Sequence, residues 1–158
     1  MQLEGIDFFK TYAPVVQWTT VRLMLILEVL LRLKSKQVDV TAAFLHANLG
    51  KDEKVFVEMP RGFKVKGKNG GTKVLKLFKT LYWSFQSPRD FWKYILSNME
   101  LCGMVQSKMD SCLFIGNKVM AIIYVDDTLF WSVNENDIHE KSMQFCKQGV
   151  DLEQEDDA

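Results

Sequence analysis

The apolar positions of this chain change period along its length. Residues 20–33 are apolar on nearly every side, with Arg22, Glu28 and Arg32 on one stripe. Thr19 or Thr20 can cap that segment by accepting from its first free amides. A helix is predicted there, buried on most sides, with Glu28 and Arg32 spaced to pair. Val38 and Val40 then alternate with Gln37 and Asp39, the two-residue period of a strand. Residues 41–49 read as a turn and short helix before Gly50. Residues 54–59 alternate again, Pro60-Arg61-Gly62 breaks them, and residues 74–78 return as a second strand. Ser87-Pro88-Arg89-Asp90 is a helix start: a capping hydroxyl, a proline suited to the first turn, and an acid at the positive end of the dipole. The helix is predicted over 88–102, ended by Gly103, with Phe91, Trp92, Ile95, Leu96 and Met99 facing a sheet. Residues 112–115, 119–124 and 129–133 read as strands, and Asn136 or Asp137 can cap a last helix to Gln148.

Composition narrows the class. Hydrophobic content of 47% and charged content of 25% are ordinary globular values. The expected organisation is one domain over residues 1–150 and an acidic, disordered tail over 151–158. Five acids fall in those last eight residues, so the zero net charge conceals a body of 20 basic and 15 acidic groups, a net of +5. Cys102, Cys112 and Cys146 form no close pair and no metal-ligand spacing, which suits reduced core thiols and an intracellular chain. No run reaches the ~18 apolar residues of a membrane helix, and no signal peptide is evident.

The chemistry centres on residues 121–131, where Asp126 and Asp127 interrupt a run of β-branched and aromatic residues. Strands on both sides place the pair at a tight turn, which short acids tolerate. Adjacent carboxylates repel unless a cation joins them, and hard divalent ions such as Mg2+ take carboxylate oxygens. A solvated hairpin tip is the other reading of the pair alone. Asp39, on its strand, is a third acid that is costly if buried and reasonable beside a metal or water. Three such carboxylates can hold two metal ions about 3.5–4 Å apart, the arrangement that clamps the attacking and leaving oxygens of phosphoryl transfer.

An ordered set of segments carries a resemblance. It comprises Glu4-Gly5-Ile6-Asp7-Phe8, Thr11-Tyr12-Ala13-Pro14-Val15-Val16, Trp18-Thr19-Thr20-Val21-Arg22-Leu23 and Val38-Asp39-Val40-Thr41-Ala42-Ala43-Phe44-Leu45. It continues through Val55-Phe56-Val57-Glu58-Met59-Pro60-Arg61-Gly62-Phe63, Leu81-Tyr82, Gln86-Ser87-Pro88-Arg89, Asp110-Ser111-Cys112-Leu113-Phe114 and Tyr124-Val125-Asp126-Asp127. In this order, from near residue 4 to about residue 145, the chain resembles the reverse transcriptase of copia-type retrotransposons, an RNA-directed DNA polymerase.

The resemblance implies an α+β fold, a palm and fingers fragment with an antiparallel sheet and helices packed on one face. It implies catalysis with Mg2+ or Mn2+ held by Asp39, Asp126 and Asp127, and a nucleotide site at Val40, Phe44 and Tyr124. Phe44 would lie under the incoming sugar and exclude a 2′-hydroxyl; composition alone would make it a core residue. The implied partners are an RNA or DNA template-primer and deoxynucleoside triphosphates, with no membrane. The implied location is the cytoplasm, within a virus-like particle for an intact element. Between Arg61 and Lys79 stand seven basic residues and no acid, on a turn-rich loop. Lys64, Lys66, Lys68 and Lys73 are the expected phosphate contacts there, a solvated basic loop being the bland alternative.

Three departures from the family pattern stand out. The family's basic strand before the Glu4 segment is missing, and nothing here resembles its primer grip, thumb or RNase H region. Trp83-Ser84-Phe85 replaces the family's Gly-Leu-Lys, putting a large ring where a missing side chain would let backbone approach the nucleotide. A truncated copy, weak or inactive alone, is therefore expected. The alternatives are a decayed nucleic-acid-binding or metal-binding module without catalysis, and an unrelated small metal-binding α+β domain.

Overall fold

The two strands that flank the Asp126-Asp127 pair are apolar on both faces, and that decides the architecture. The computed structural model describes residues 11–41, 43–49, 54–67, 70–82, 84–85, 87–147 and, for the backbone, 152–154. Helix α1 (Trp18–Leu31) leads into strand β1 (Lys34–Val40) and a 3-10 turn (Ala43–Leu45). Strands β2 (Phe56–Glu58) and β3 (Val74–Lys76) form a separate two-stranded hairpin. Helix α2 (Ser87–Leu101) precedes β4 (Val105–Gln106), β5 (Leu113–Ile115), β6 (Val119–Tyr124) and β7 (Asp127–Ser132). Helix α3 (Glu135–Lys147) and β8 (Leu152–Gln154) follow. The main sheet runs β4-β5-β6-β7-β1-β8, antiparallel at each pairing. The class is α+β, and the three expected strands around the acids share one sheet.

One face of the sheet presents Val38, Val40, Val119, Ala121, Ile123 and Phe130 to α2 and α3. Phe91, Ile95 and Met99 of α2 and Ile138 and Phe145 of α3 complete that core. Trp92 and Leu96 flank it, half-buried. The opposite face presents Ile122, Leu129 and Trp131 to α1, where Met24 is buried and Val21 and Leu27 lie at the margin. The expectation of all helices on one face is thus corrected. The residues alternating with the first core are themselves large and apolar, and one helix covers them.

The same contact corrects the picture of α1. Met24 is its only buried residue, while Leu23, Ile26, Val29 and Leu30 on its outer side are more than half exposed. Glu28 does not serve Arg32. Its carboxylate accepts from Trp131 Nε1 at 2.8 Å and from Ser35 Oγ at 2.7 Å, clamping α1 to both β7 and β1. Arg32 closes the helix in the left-handed conformation (φ 52°).

Helix starts also differ in detail. The N-cap of α1 is Gln17, not Thr19 or Thr20, and its N–H donates to Asp110 Oδ2 at 3.0 Å. The cap of α3 is Asn134, whose Oδ1 accepts from Asn136 N at 3.0 Å. Ser87 lies inside α2 and donates to the Leu81 carbonyl at 2.7 Å instead of capping. In the expected tail, residues 152–154 form β8 along β1; the flanking residues 148–151 and 155–158 lie outside the described residues. Cys102, Cys112 and Cys146 are free thiols, and burial together with the Asp110 charge pushes Cys112 up to about 12.

Asp110 is the anchor that the sequence pattern hides. It is buried, 93 residues from the helix end it serves. Burial pushes its carboxyl up, but hydrogen bonds from the Thr20 side chain and the Gln17 and Cys112 amides outweigh burial and hold it below the usual carboxylate range. An anion at a helix N-terminus is further favoured by the dipole. Because the folded value is depressed, this stabilisation is present above the ordinary carboxylate range and is lost as pH falls below it. Asp110→Ala should cost about 2–3 kcal/mol in urea unfolding at neutral pH, since buried amides lose a charged acceptor. The cost should shrink in acid. An equal loss at all pH values would contradict the assignment.

Candidate active site

Asp39, Asp126 and Asp127 meet at one end of the sheet because two registers bring them there. Asp39 is the Cα partner of Asp127 across β1 and β7, and Tyr124 is the partner of Asp127 across β6 and β7. The Val40 N–H donates to the Asp126 carbonyl at 3.1 Å, tying the end of β1 to the turn. Val38 and Val40 are buried on the α2 side, so the alternation turns Asp39 to the other.

The turn is centred one residue earlier than the acid pair suggests. Tyr124 and Asp127 close the hairpin, leaving Val125 and Asp126 as its two central residues. Two-residue hairpins need a positive φ at the first central position, usually met by glycine or asparagine. Here Val125 meets it, with φ 56°. A β-branched residue in that region is a genuine outlier and stores about 1–3 kcal/mol of strain.

Electrostatics mark Asp126 as the pivotal acid. Burial first, then the charges of Asp39 and Asp127, push its carboxyl above the usual range. Its Oδ1 is buried and has no hydrogen-bond donor among the described residues. Asp127 is exposed and its Oδ1 accepts from Gln37 Nε2 at 3.1 Å. Among the described residues, no three His, Cys, Asp or Glu side chains close into a metal-holding group. The three acids share an end of the sheet without closing into such a group. The donor-less buried oxygen and the raised carboxyl fit a divalent cation.

Tyr82, quoted above within a carrying segment but given no role there, lies beside the acids. Burial, Asp126 and Asp39 together push its phenol up, which places both carboxylates in its surroundings. Its ring meets Phe44 edge-on with centroids 4.8 Å apart, and Phe44 meets Phe91 at 5.4 Å. Phe44 is half-buried, wedged between the core and the site, and lines a cavity of about 330 Å3 with Val125. Tyr124 and Asp127 line another, of about 390 Å3, on the α1 side. Lys64, Lys66 and Lys73 lie on the β2–β3 hairpin and its loop, away from the acids in sequence and in sheet. Lys68 and Trp83 lie outside the described residues.

Residues 1–154 match the family model described as "Reverse transcriptase (RNA-dependent DNA polymerase)". The chain belongs to the reverse transcriptase family. It is 37% identical over 133 residues to the retrovirus-related Pol polyprotein from transposon TNT 1-94 of Nicotiana tabacum, covering 81% of this chain and 10% of that protein. It is 33% identical over 132 residues to that from transposon RE1 of Arabidopsis thaliana, covering 81% and 9%. It is 29% identical over 126 residues to the transposon Ty1-DR4 Gag-Pol polyprotein of Saccharomyces cerevisiae, covering 77% and 7%. The resemblance to copia-type elements is therefore shown, and the chain spans about a tenth of these relatives' length. No solved structure matches it.

Two outcomes follow for this reverse transcriptase turn. Val125→Gly removes the left-handed strain at a half-exposed side chain and loses about 0.5–1 kcal/mol to backbone entropy. Its stability in urea should rise by about 1 kcal/mol. A loss of stability would mean that the turn is not strained. For Asp126 the folded carboxyl is raised, so its contribution is full below the ordinary carboxylate range and lost as pH rises through the raised value. In metal-free buffer Asp126→Asn should remove that loss and unfold later than the parent at pH 7. An unchanged pH profile would show the three carboxylates to be uncoupled.

Proposed function

We propose that this chain carries the nucleotidyl-transfer site of an RNA-directed DNA polymerase, a palm and fingers unit acting on a template-primer and deoxynucleoside triphosphates in the cytoplasm. The observation that carries the reading is Asp126: a buried, donor-less carboxylate oxygen at a strained turn, facing Asp39 and Asp127.

In this reading Asp39, Asp126 and Asp127 hold Mg2+ or Mn2+, with Val40 contributing backbone at the same end of β1. Bound divalent ions would supply charge stabilisation at the attacking and leaving oxygens and ease deprotonation of the primer 3′-hydroxyl. The protein's own part is alignment, which dominates phosphoryl transfer. The Val40–Asp126 backbone bond fixes the acid-bearing turn against β1. Phe44, which packs against Tyr82 and Phe91, would exclude a ribose 2′-hydroxyl. Tyr124, exposed beside Asp127, would meet the nucleotide. Lys64, Lys66 and Lys73 take phosphates of the nucleic acid. A nucleic-acid-binding module without catalysis is the second reading, favoured by the unclosed carboxylate set.

Primer extension on an RNA template with Mg2+ or Mn2+ decides between them. The expected result is weak extension that Asp126→Asn abolishes, with Phe44→Val raising ribonucleotide incorporation relative to deoxyribonucleotide. The melting temperature should rise with Mg2+ or Mn2+ by mass action, and Asp39→Asn combined with Asp126→Asn should remove the rise. Oligonucleotide binding with no extension and no metal-dependent shift would leave the binding module as the function.

A further inference from the structure

The β2–β3 hairpin exposes aromatic rings that its own fold gives no reason to expose. Phe56 pairs with Lys76 across the two strands, and Glu58 pairs with Val74, so these four side chains share one face. Phe78 joins them, because Lys76 Nζ lies 5.4 Å from the centre of its ring. Phe56 is 55% and Phe78 75% exposed, and Phe63, beyond the Pro60-Arg61-Gly62 turn, is 71% exposed. On the other side Val55, Val57 and Leu77 are half-buried and Leu75 is 44% exposed. The aromatic face is therefore the more exposed of the two, and two strands alone cannot cover it.

Charge says what kind of surface fits. Among the described residues between 54 and 79, Lys54, Arg61, Lys64, Lys66, Lys73, Lys76 and Lys79 are basic and Glu58 alone is acidic. Rings interleaved with cations are what an unpaired nucleic-acid strand requires. Every base offers a stackable face, and the backbone that links the bases is anionic. A duplex hides its bases and could use only the charges.

The hairpin is also tied to the segment that bears Phe44. The Leu49 N–H donates to the Phe78 carbonyl at 3.1 Å, the Thr80 N–H donates to the Ala47 carbonyl at 3.0 Å, and Thr80 Oγ1 donates to the Phe44 carbonyl. The backbone of Phe78 is thus fixed to the loop that bears Phe44.

We propose that the outer face of this hairpin, Phe56, Phe78 and the adjoining Phe63, is a stacking platform for unpaired bases of a single-stranded nucleic acid, whose phosphates the surrounding lysines take. This rests on the reading that the hairpin lysines meet nucleic acid, and it adds the class of strand and the residues that hold its bases.

Fluorescence anisotropy of the 158-residue chain with a labelled oligo(dT) or oligo(U), and with a duplex of equal length, tests it. Phe56→Ala and Phe78→Ala should each weaken single-strand binding by about 5- to 150-fold and leave duplex binding nearly unchanged. Phe78→Tyr, which keeps the ring, should retain it. Replacing Lys64, Lys66 and Lys73 together should make the single-strand salt slope shallower by about 2. Single-strand binding retained by a parent that extends no primer would sink the catalytic reading alone, so failure of catalysis and failure of the platform remain distinguishable. Circular dichroism checks that each variant is folded. Folded alanine variants that bind single strands like the parent, alanine variants that weaken duplex and single strand equally, or a parent that binds no single strand would each overturn the proposal.

Discussion

The register of β1 against β7 is the constraint on which the site depends. Val38 and Val40 are buried on the α2 and α3 side, and Asp39 alternates with them opposite Asp127. A slip of one residue would carry two valines out of the core and turn Asp39 into it, reversing every side chain of the strand. Burial of two valines is worth about 3–6 kcal/mol, and an isolated buried carboxylate costs more still. The core therefore enforces the meeting of the three acids. The Val40–Asp126 bond and the strained Val125 refine a geometry that hydrophobic packing has already set.

The sheet is closed on both sides, and this separates two kinds of work. The face toward α2 and α3 is a conventional core. The face toward α1 is apolar over Leu113, Met120, Ile122, Leu129 and Trp131, then gives way to Gln37, Tyr124 and Asp127 at the end where the acids lie. The Glu28 clamp from Trp131 and Ser35, and the Asp110 anchor at Gln17, hold α1 over the first part while leaving the second open. Both devices use carboxylate acceptors, the stronger class of hydrogen bond.

What could be read from the sequence follows from how local each signal is. The strands around Asp39 and the acid pair were legible because their period is two residues, and α2 because Phe91, Ile95 and Met99 recur at helical spacing behind a good start. The placement of α1 was not legible. A helix apolar on all sides does not say which side it will bury, and the informative signal was elsewhere, in Ile122, Leu129 and Trp131 alternating with the first core. The anchoring role of Asp110 was not legible because the helix end it serves is 93 residues away, and a lone acid before a strand looks like any loop acid. Val125 escaped because turn chemistry favours its neighbour Asp126 for unusual backbone angles, whereas the pairing of Tyr124 with Asp127 placed the demand one residue earlier.

The two tryptophans at α1 make that helix optically legible. Trp18 begins it and is 76% exposed, while Trp131 lies beneath it, fully buried, with its indole N–H on Glu28. One indole sits in water and the other in an apolar pocket with a carboxylate on its nitrogen. Peeling α1 from the sheet would transfer Trp131 to solvent and leave the surroundings of Trp18 almost as they were. With Trp83 and Trp92 replaced, the long-wavelength emission would gauge whether the α1 face is covered, read without any label and only a few residues from Asp127.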